Sequence, residues 1–136
     1  MSIFLILLAA GESKRLKSKE PKPYIIINNK TLIEHSIDKI QKIRDIKKIV
    51  LTYNKKHKKK IDKLNLTNVI KVPGGKTRAQ STLFALKRIK NLNCSKVLIH
   101  DAARPNTSIK LIKKVIYDLK FNKIVIPSIG ITDSYR

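Results

Sequence analysis

The sequence has little cysteine, few aromatic side chains and no long apolar run. Cys94 is the single cysteine among 136 residues, so no internal disulfide can form, and a reducing, cytoplasmic compartment is the simplest expectation. No apolar run approaches the roughly 20 residues that a membrane helix needs. The apolar stretch at residues 4–10 lacks the basic segment that precedes a signal-peptide core. We therefore expect neither a disulfide scaffold nor a membrane partner.

Acidic residues are also scarce. Nine Asp and Glu stand against 31 Lys and Arg, a formal net charge of +22, and so basic a domain is a candidate nucleic-acid binder. The densest basic run, residues 55–60, falls on an expected surface helix, and the few aromatic residues are not interleaved with it. We expect a solvated face there, and a nucleic-acid-binding module remains the alternative from another class.

Arginine is rarer than lysine and unevenly placed. Only six of the 31 basic residues are Arg, and four of these lie in or beside the candidate site loops described below: Arg15, Arg78, Arg104 and Arg136. In a chain biased toward lysine, this placement suggests that a planar, always-charged fork is needed at those points.

Apolar periodicity alternates between the strand and helix types. Strands are expected at 3–8, 48–53, 68–72, 96–99 and 123–126, a short extended piece at 24–27 before an Asn28-Asn29 turn, and helices at 31–42, 55–64, 78–90 and 108–119. Thr31 with Glu34 fits a capping box at the start of the first helix. In the third helix Leu83, Leu86 and Ile89 are expected to face the core. This alternation predicts an α/β fold, a parallel sheet covered by helices, in a single domain over residues 1–136.

Three loops that follow expected strands carry the polar groups of interest. Ala9, Ala10 and Gly11 let backbone amides approach a ligand, and Arg15 and Lys22 follow as cations, equipment that suits a triphosphate.

The second loop, Gly74 to Ser81, opens a helix, and Thr77 with Gln80 fits a capping box. In the third, Asp101 suits a divalent metal and Arg104 a phosphate, although an isolated Asp-x-x-Arg is more often a turn with a surface ion pair. Loops at the carboxyl ends of parallel strands gather at one edge of the sheet, so we expect one site.

The loops together resemble a known family. Ala-Ala-Gly-x-x-x-Arg at 9–15, Pro-Lys-x-Tyr at 21–24, Gly-Gly-x-x-Arg-x-x-Ser at 74–81 and His-Asp-Ala-Ala-Arg-Pro at 100–105 look like the 2-C-methyl-D-erythritol 4-phosphate cytidylyltransferases. The resemblance implies a Rossmann-like nucleotidyltransferase fold with a mostly parallel sheet. The related ribitol-5-phosphate cytidylyltransferases share the nucleotide loops and remain the near alternative.

The resemblance also implies roles for individual residues. The substrates would be CTP and a polyol phosphate, with Mg²⁺ as the metal held by Asp101, and Arg15 and Lys22 would be catalytic. The implied nucleotide-binding residues are Ala9, Ala10, Gly11, Gly75, Lys76, Arg78, Ser81, Asp101, Ala102 and Arg104, and those implied for the second substrate are Asp133 and Ser134. Lys76 stands where many relatives have an acid, which favours recognition through backbone there.

Length is the largest departure from the family. The chain stops at Arg136, whereas family members continue with a projecting arm used in dimerisation and with further sheet and helix. We therefore expect a C-terminally truncated nucleotide-binding part, inactive alone, of a longer homodimeric enzyme. Some relatives carry a fused cyclodiphosphate synthase domain, and the sequence leaves that possibility open.

Overall fold

The computed structural model describes residues 1–11 and 19–130, and these divide into two compact units between Asn106 and Thr107. In chain order the strands are β1 (Ile3–Ala9), β2 (Ile26–Ile27), β3 (Lys30–Thr31), β4 (Ile46–Tyr53), β5 (Val69–Pro73) and β6 (Lys96–Asp101). The α-helices are α1 (Leu32–Gln41), α2 (Lys58–Asp62), α3 (Arg78–Ile89) and α4 (Ile109–Leu119). Short 3₁₀ turns occupy Lys22–Tyr24 and Lys55–His57.

Four strands form a parallel sheet in the order β5-β4-β1-β6. The chain builds outward from β1 through β4 to β5, and then returns to place β6 on the other side of β1. This reversal is the switch point of a doubly wound α/β sheet, where such folds bind ligands beyond the carboxyl ends of the strands. The predicted α/β fold with a mostly parallel sheet is confirmed.

The core explains why β1 lies at the centre. All seven of its residues are buried, which is typical of a strand covered on both faces. Phe4, Ile6 and Leu8 join a cluster with Ala85 and Ile89 of α3. Ile3, Leu5 and Leu7 alternate onto the opposite face and are also fully buried.

The helix starts show how well capping was predicted. Thr31 and Glu34 form the expected capping box of α1: the Glu34 amide donates to Thr31 Oγ1, and the Thr31 amide donates to Glu34 Oε2 at 2.7 Å.

Asn28 and Asn29 have φ of 51° and 66°, as the tight turn between β2 and β3 requires.

Two expectations from periodicity are wrong. Leu83 and Leu86 are exposed on α3, and the buried residues are Ser81, Ala85 and Ile89, because the helix turns its small side chains to the sheet. Residues 123–126 form no strand in the described chain, and Ile124 and Ile126 are exposed. An apolar run becomes a strand only when it pairs with another strand, and the described residues provide none beside it.

The unit that begins at Thr107 contains α4. Ser108 caps this helix by accepting a hydrogen bond from the Leu111 amide at 3.1 Å, so the helix begins where it was predicted. No helix in residues 1–11 and 19–130 is both long and apolar enough to cross a membrane.

Candidate functional site

The strand register brings the predicted loops to one edge of the sheet. Leu8 pairs with Asp101, Ala9 with Tyr53, and Tyr53 with Pro73, so all four strands end at one level. The three loops enclose a cavity of about 280 Å³. Its lining residues are Leu8, Ala9, Ala10, Gly11, Lys22, Pro23, Gly75, Lys76, Thr77, Arg78, Ser81, Asp101, Ala103 and Arg104. The expected single site is thus seen as one cavity.

The predicted residues fall into three groups. Ala9, Ala10, Gly11, Lys22, Gly75, Lys76, Arg78, Ser81, Asp101 and Arg104 all line the cavity. Ala102 does not line it, because this residue is fully buried and its amide donates to the Leu8 carbonyl at 2.9 Å. Arg15, Asp133 and Ser134 lie outside the described residues.

The second loop is fixed by steric contact. A Cβ added to Gly74 would lie 2.4 Å from Ala10 Cβ and 2.8 Å from Ser81 Oγ. The Gly74 amide donates to the Tyr53 carbonyl at 2.7 Å. Glycine at position 74 therefore lets this loop lie directly against the end of β1.

Hydrogen bonds within this loop use two of its amides. The Gly75 amide donates to Ser81 Oγ at 3.1 Å, and the Lys76 amide donates to Gln80 Oε1 at 2.8 Å. Thr77 caps α3 as expected, but the Gln80 side chain binds the amide of Lys76 rather than that of Thr77, so the box is one residue wider than predicted. In the hydrogen bond from the Gly75 amide, Ser81 Oγ is the acceptor. The hydroxyl proton of Ser81 is therefore left for donation to another group.

The third loop carries paired charges. Asp101 Oδ1 accepts from Arg78 Nε at 3.3 Å, and Asp101 Oδ2 lies 3.5 Å from Arg104 Nε. Arg78 and Arg104 are 64 % and 75 % exposed, whereas Asp101 is 32 % exposed. One half-buried carboxylate thus holds two guanidinium groups at the mouth of the cavity, in an exposed network that contributes little to stability.

Two further contacts support this loop from behind. His100 Nε2 lies 3.1 Å from the Arg104 carbonyl oxygen, and burial lowers the pKa of His100. Ser36 Oγ of α1 donates to the Ala102 carbonyl at 3.2 Å. Both contacts help to order the third loop, and Ser36 is a supporting residue that the sequence pattern did not reveal.

The described residues do not by themselves make a magnesium site. Among the described residues that line the cavity Asp101 is the one carboxylate, and both of its oxygens face arginine. No group of three or more His, Cys, Asp or Glu side chains suited to a metal occurs in the part of the chain that the structure describes. Mg²⁺ is usually held by one or two carboxylates together with phosphate oxygens. The metal role of Asp101 stays a prediction.

Sequence reasoning missed four residues that line the cavity. Leu8, Pro23, Thr77 and Ala103 all lie beside predicted positions, and each is a neighbour in sequence of a residue that was selected. A signal was present for Ala103, because the loop from 100 to 105 was chosen as a whole. Within that loop Ala102 is fully buried, whereas Ala103 lines the cavity.

The fold and the placement of this cavity define a doubly wound α/β protein with a cavity at the switch point of its sheet, where such folds bind ligands. Residues 3–136 match the family model described as IspD, 2-C-methyl-D-erythritol 4-phosphate cytidylyltransferase. The chain belongs to that family, as the motifs implied.

Similar curated proteins carry the name of the same family. The chain is 51 % identical over 136 residues to the bifunctional enzyme IspD/IspF of Pelagibacter ubique and spans 37 % of its length. It is 37 % identical over 114 residues to the 2-C-methyl-D-erythritol 4-phosphate cytidylyltransferase of Vibrio parahaemolyticus; the match covers 82 % of this chain and 49 % of that protein. The chain therefore spans about half or less of the length of these relatives.

Solved structures show the same fold. The bifunctional IspDF of Campylobacter jejuni superposes with a TM-score of 0.75 at 28 % identity, over 89 % of this chain and 31 % of that one. The 2-C-methyl-D-erythritol 4-phosphate cytidylyltransferase of Francisella tularensis superposes with a TM-score of 0.72 at 27 % identity, over 90 % of this chain and 54 % of that one.

Proposed function

We propose that the chain is the nucleotide-binding part of an enzyme that transfers a cytidylyl group from CTP to 2-C-methyl-D-erythritol 4-phosphate. The phosphate oxygen of the second substrate attacks the α-phosphorus of CTP, the bond to the β-phosphate breaks, and pyrophosphate leaves. One observation carries this proposal: loops from β1, β5 and β6 with the motifs of the family enclose a single cavity at the switch point. Such a transfer needs positioning and charge neutralisation rather than a covalent intermediate.

The triphosphate is assigned to the side of the cavity formed by β1 and Lys22. Backbone at Ala9, Ala10 and Gly11 lines this side, and small residues let a phosphate approach closely. Lys22 supplies a cation at the same wall, and Arg15 is proposed as the second. Their role is to neutralise charge that develops on the α-phosphoryl group in the transition state.

The cytosine ring is assigned to the loop from Gly74 to Ser81. Because the amides of Gly75 and Lys76 are bonded within the loop, recognition falls to the carbonyl groups and to the Ser81 hydroxyl. A carbonyl accepts from the cytosine amino group, and the hydroxyl donates to a ring acceptor. Backbone recognition of this kind does not depend on the side chain of Lys76.

The ribose and its neighbouring groups are assigned to the third loop. Asp101 and Arg104 line the cavity beside Arg78, and Ala102 contributes through the backbone that anchors this loop to β1. A bound divalent metal would neutralise phosphate charge, with Asp101 as one ligand and nucleotide oxygens as others. No step of the proposal is routed through that metal.

Several finer points belong to the same proposal. Asp133 and Ser134 are assigned to the second substrate, the full-length protein is a homodimer, and it acts in the cytoplasm. A half-buried Cys94 thiol, whose pKa is raised by burial, is consistent with a reducing compartment. The similarity to a bifunctional relative supports a second catalytic activity in the same polypeptide.

The comparisons favour the methylerythritol substrate over ribitol 5-phosphate, since the family model and the relatives above carry the former name. The nucleic-acid alternative rests on net charge alone. Steep loss of DNA affinity with rising salt would be its signature.

Pyrophosphate release by the full-length gene product tests the proposal. CTP should support turnover with 2-C-methyl-D-erythritol 4-phosphate far better than with ribitol 5-phosphate, and ATP and GTP should be poor nucleotides because the base pocket excludes purines by size. A preference for ribitol phosphate, or equal turnover with ATP, would overturn the assignment.

A further inference from the structure

The segment that follows β4 begins at the same edge of the sheet as the three cavity loops. Tyr53 ends β4 level with Ala9 and Pro73, and the basic run at residues 55–60 starts two residues later. None of residues 55–60 lines the cavity. The run was expected to be a solvated face, yet two of its side chains reach back to the segment that carries Lys22.

The first contact is an ion pair. Lys60 Nζ donates to both carboxylate oxygens of Glu20, at 3.0 and 2.8 Å. These residues are 40 positions apart in sequence, and each side chain is about half exposed. One ammonium group thus lies within hydrogen-bond distance of both oxygens of the carboxylate, and it joins the helix α2 to the segment just before Lys22.

The second contact is aromatic. The Tyr24 ring and the His57 imidazole meet edge to face, with centroids 5.3 Å apart and planes at 72°. Lys60 Nζ also lies 6.0 Å from the centroid of the Tyr24 ring, within reach of a cation–π interaction. Lys60 therefore interacts with Glu20 and with Tyr24, which lie two residues before and two residues after Lys22 in the sequence.

Tyr24 is the buried anchor of this arrangement. Its side chain is only 4 % exposed, its hydroxyl has no hydrogen-bond partner in the described structure, and burial raises its pKa to about 12. Packing rather than a polar contact therefore holds the ring. The short turn Lys22–Tyr24 is closed by hydrogen bonds from the Tyr24 amide to the Pro21 carbonyl and from the Ile25 amide to the Lys22 carbonyl.

We propose that His57 and Lys60 are positioning residues: through Tyr24 and Glu20 they hold the Lys22 turn against the cavity. Neither residue touches the substrate. Their action is on the geometry of Lys22, and a small misplacement of a charge-neutralising group is costly in rate. This inference rests on the proposed role of Lys22.

Charge reversal in the full-length enzyme tests the ion pair. Lys60→Glu and Glu20→Lys should each lower kcat for cytidylyl transfer about five- to tenfold, because like charges then face each other, and the double exchange should restore at least half of the rate. Lys59→Glu is the matched control, since it makes the same charge change on the same helix at an exposed side chain, and its kcat should stay within twofold. An unchanged rate in Lys60→Glu, or equal losses in Lys60→Glu and Lys59→Glu, would overturn the proposal.

A second background separates positioning from a general structural effect. In Lys22→Ala enzyme, Lys60→Glu should cause no further loss of kcat, since its target is gone, and the melting temperature should change no more than in Lys59→Glu. A further tenfold loss in that background would show that Lys60 acts elsewhere.

Hydrogen exchange supplies a readout that does not depend on activity. The Tyr24 and Ile25 amides of the full-length protein should exchange several-fold faster in Lys60→Glu and in His57→Ala than in wild type, and at the wild-type rate in Lys59→Glu. Unchanged exchange in both variants would contradict the positioning role of His57 and Lys60, even if the enzyme transfers the cytidylyl group. Absence of transfer by the wild-type enzyme would instead refute the proposed function. The exchange rates would still show whether His57 and Lys60 hold the Lys22 turn.

Discussion

Two sides of the cavity are built in different ways. The side proposed to bind the base, residues 74–81, is held by close packing at Gly74 and by amides bonded to Ser81 and Gln80. The charged side, formed by Lys22, Asp101 and Arg104, is built differently: Asp101 pairs with Arg104 and with Arg78 of the neighbouring loop, and both arginines are largely exposed. An added Cβ at Gly74 would overlap its neighbours, so this loop has little room to adjust, whereas ion pairs of largely exposed arginines contribute little free energy and can rearrange. The base side should therefore control stability and base choice, and the charged side should control rate.

Lys22→Ala should produce the largest effect, and on rate alone. Loss of one charge-neutralising contact costs on the order of 3 kcal/mol in the barrier, about two orders of magnitude in kcat. The unfolding temperature should change little, because Lys22 is exposed and exposed substitutions usually alter stability by no more than about 0.5 kcal/mol. The matched control is Lys19→Ala, an exposed lysine outside the cavity lining. Near-normal turnover in Lys22→Ala would remove its catalytic role.

Gly74→Ala should instead reduce stability. The new Cβ would lie 2.4 Å from Ala10 Cβ, a clash with a rigid neighbour, and overpacking of this kind costs about 2 kcal/mol. Gly11→Ala provides the contrast, since a Cβ there meets no described atom within 4 Å and stability should stay within about 0.5 kcal/mol. Denaturant titration measures both. Equal losses of stability in Gly74→Ala and Gly11→Ala would contradict the conclusion that the backbone is tightly packed at Gly74 and open at Gly11.

Ser81→Ala should cost about 1 kcal/mol in stability, because the Gly75 amide loses its acceptor. It should also weaken CTP binding if the hydroxyl donates to the base. Thr82→Ala on the next position removes an exposed hydroxyl that donates to the Arg78 carbonyl, and should change neither quantity appreciably. A Ser81→Ala protein that matches Thr82→Ala in both measurements would mean that the loop is not held as described.

Asp101→Asn should lower stability by less than about 1 kcal/mol, since its partners are exposed. The loss should fall further at high salt, because exposed charges are screened. Thermal unfolding at two salt concentrations measures it. A loss of several kcal/mol that persists in high salt would show that the charged side is as rigidly built as the base side.

Features that depend on local sequence pattern were predicted best. The strands of the parallel sheet and the Thr31 capping box depend on local pattern, and they were predicted nearly to the residue. Leu83 and Leu86 were misassigned because apolarity was taken as burial, whereas α3 approaches the sheet through Ser81 and Ala85. Small side chains permit the close approach that the Gly74 distances reveal, and a hydrophobicity pattern gives them little weight.

Contacts between distant segments were harder to predict. The loop motifs identified most of the cavity lining, but the pairing of Glu20 with Lys60 joins residues 40 positions apart, and no local rule connects them. The strand expected at 123–126 failed for the same reason, since pairing depends on a partner elsewhere in the chain. The expected roles of Arg15, Asp133 and Ser134 stay predictions, because these residues lie outside the described structure.

The central claim is that loops from three strands form one nucleotide site. Amide hydrogen exchange of the full-length protein with and without CTP tests it most directly. CTP should slow exchange together in segments 8–11, 74–81 and 100–105, with the same dependence on nucleotide concentration, and ATP at equal concentration should slow the 74–81 segment far less. Protection confined to one of these segments, or equal protection of 74–81 by ATP, would contradict a single cytidine nucleotide site.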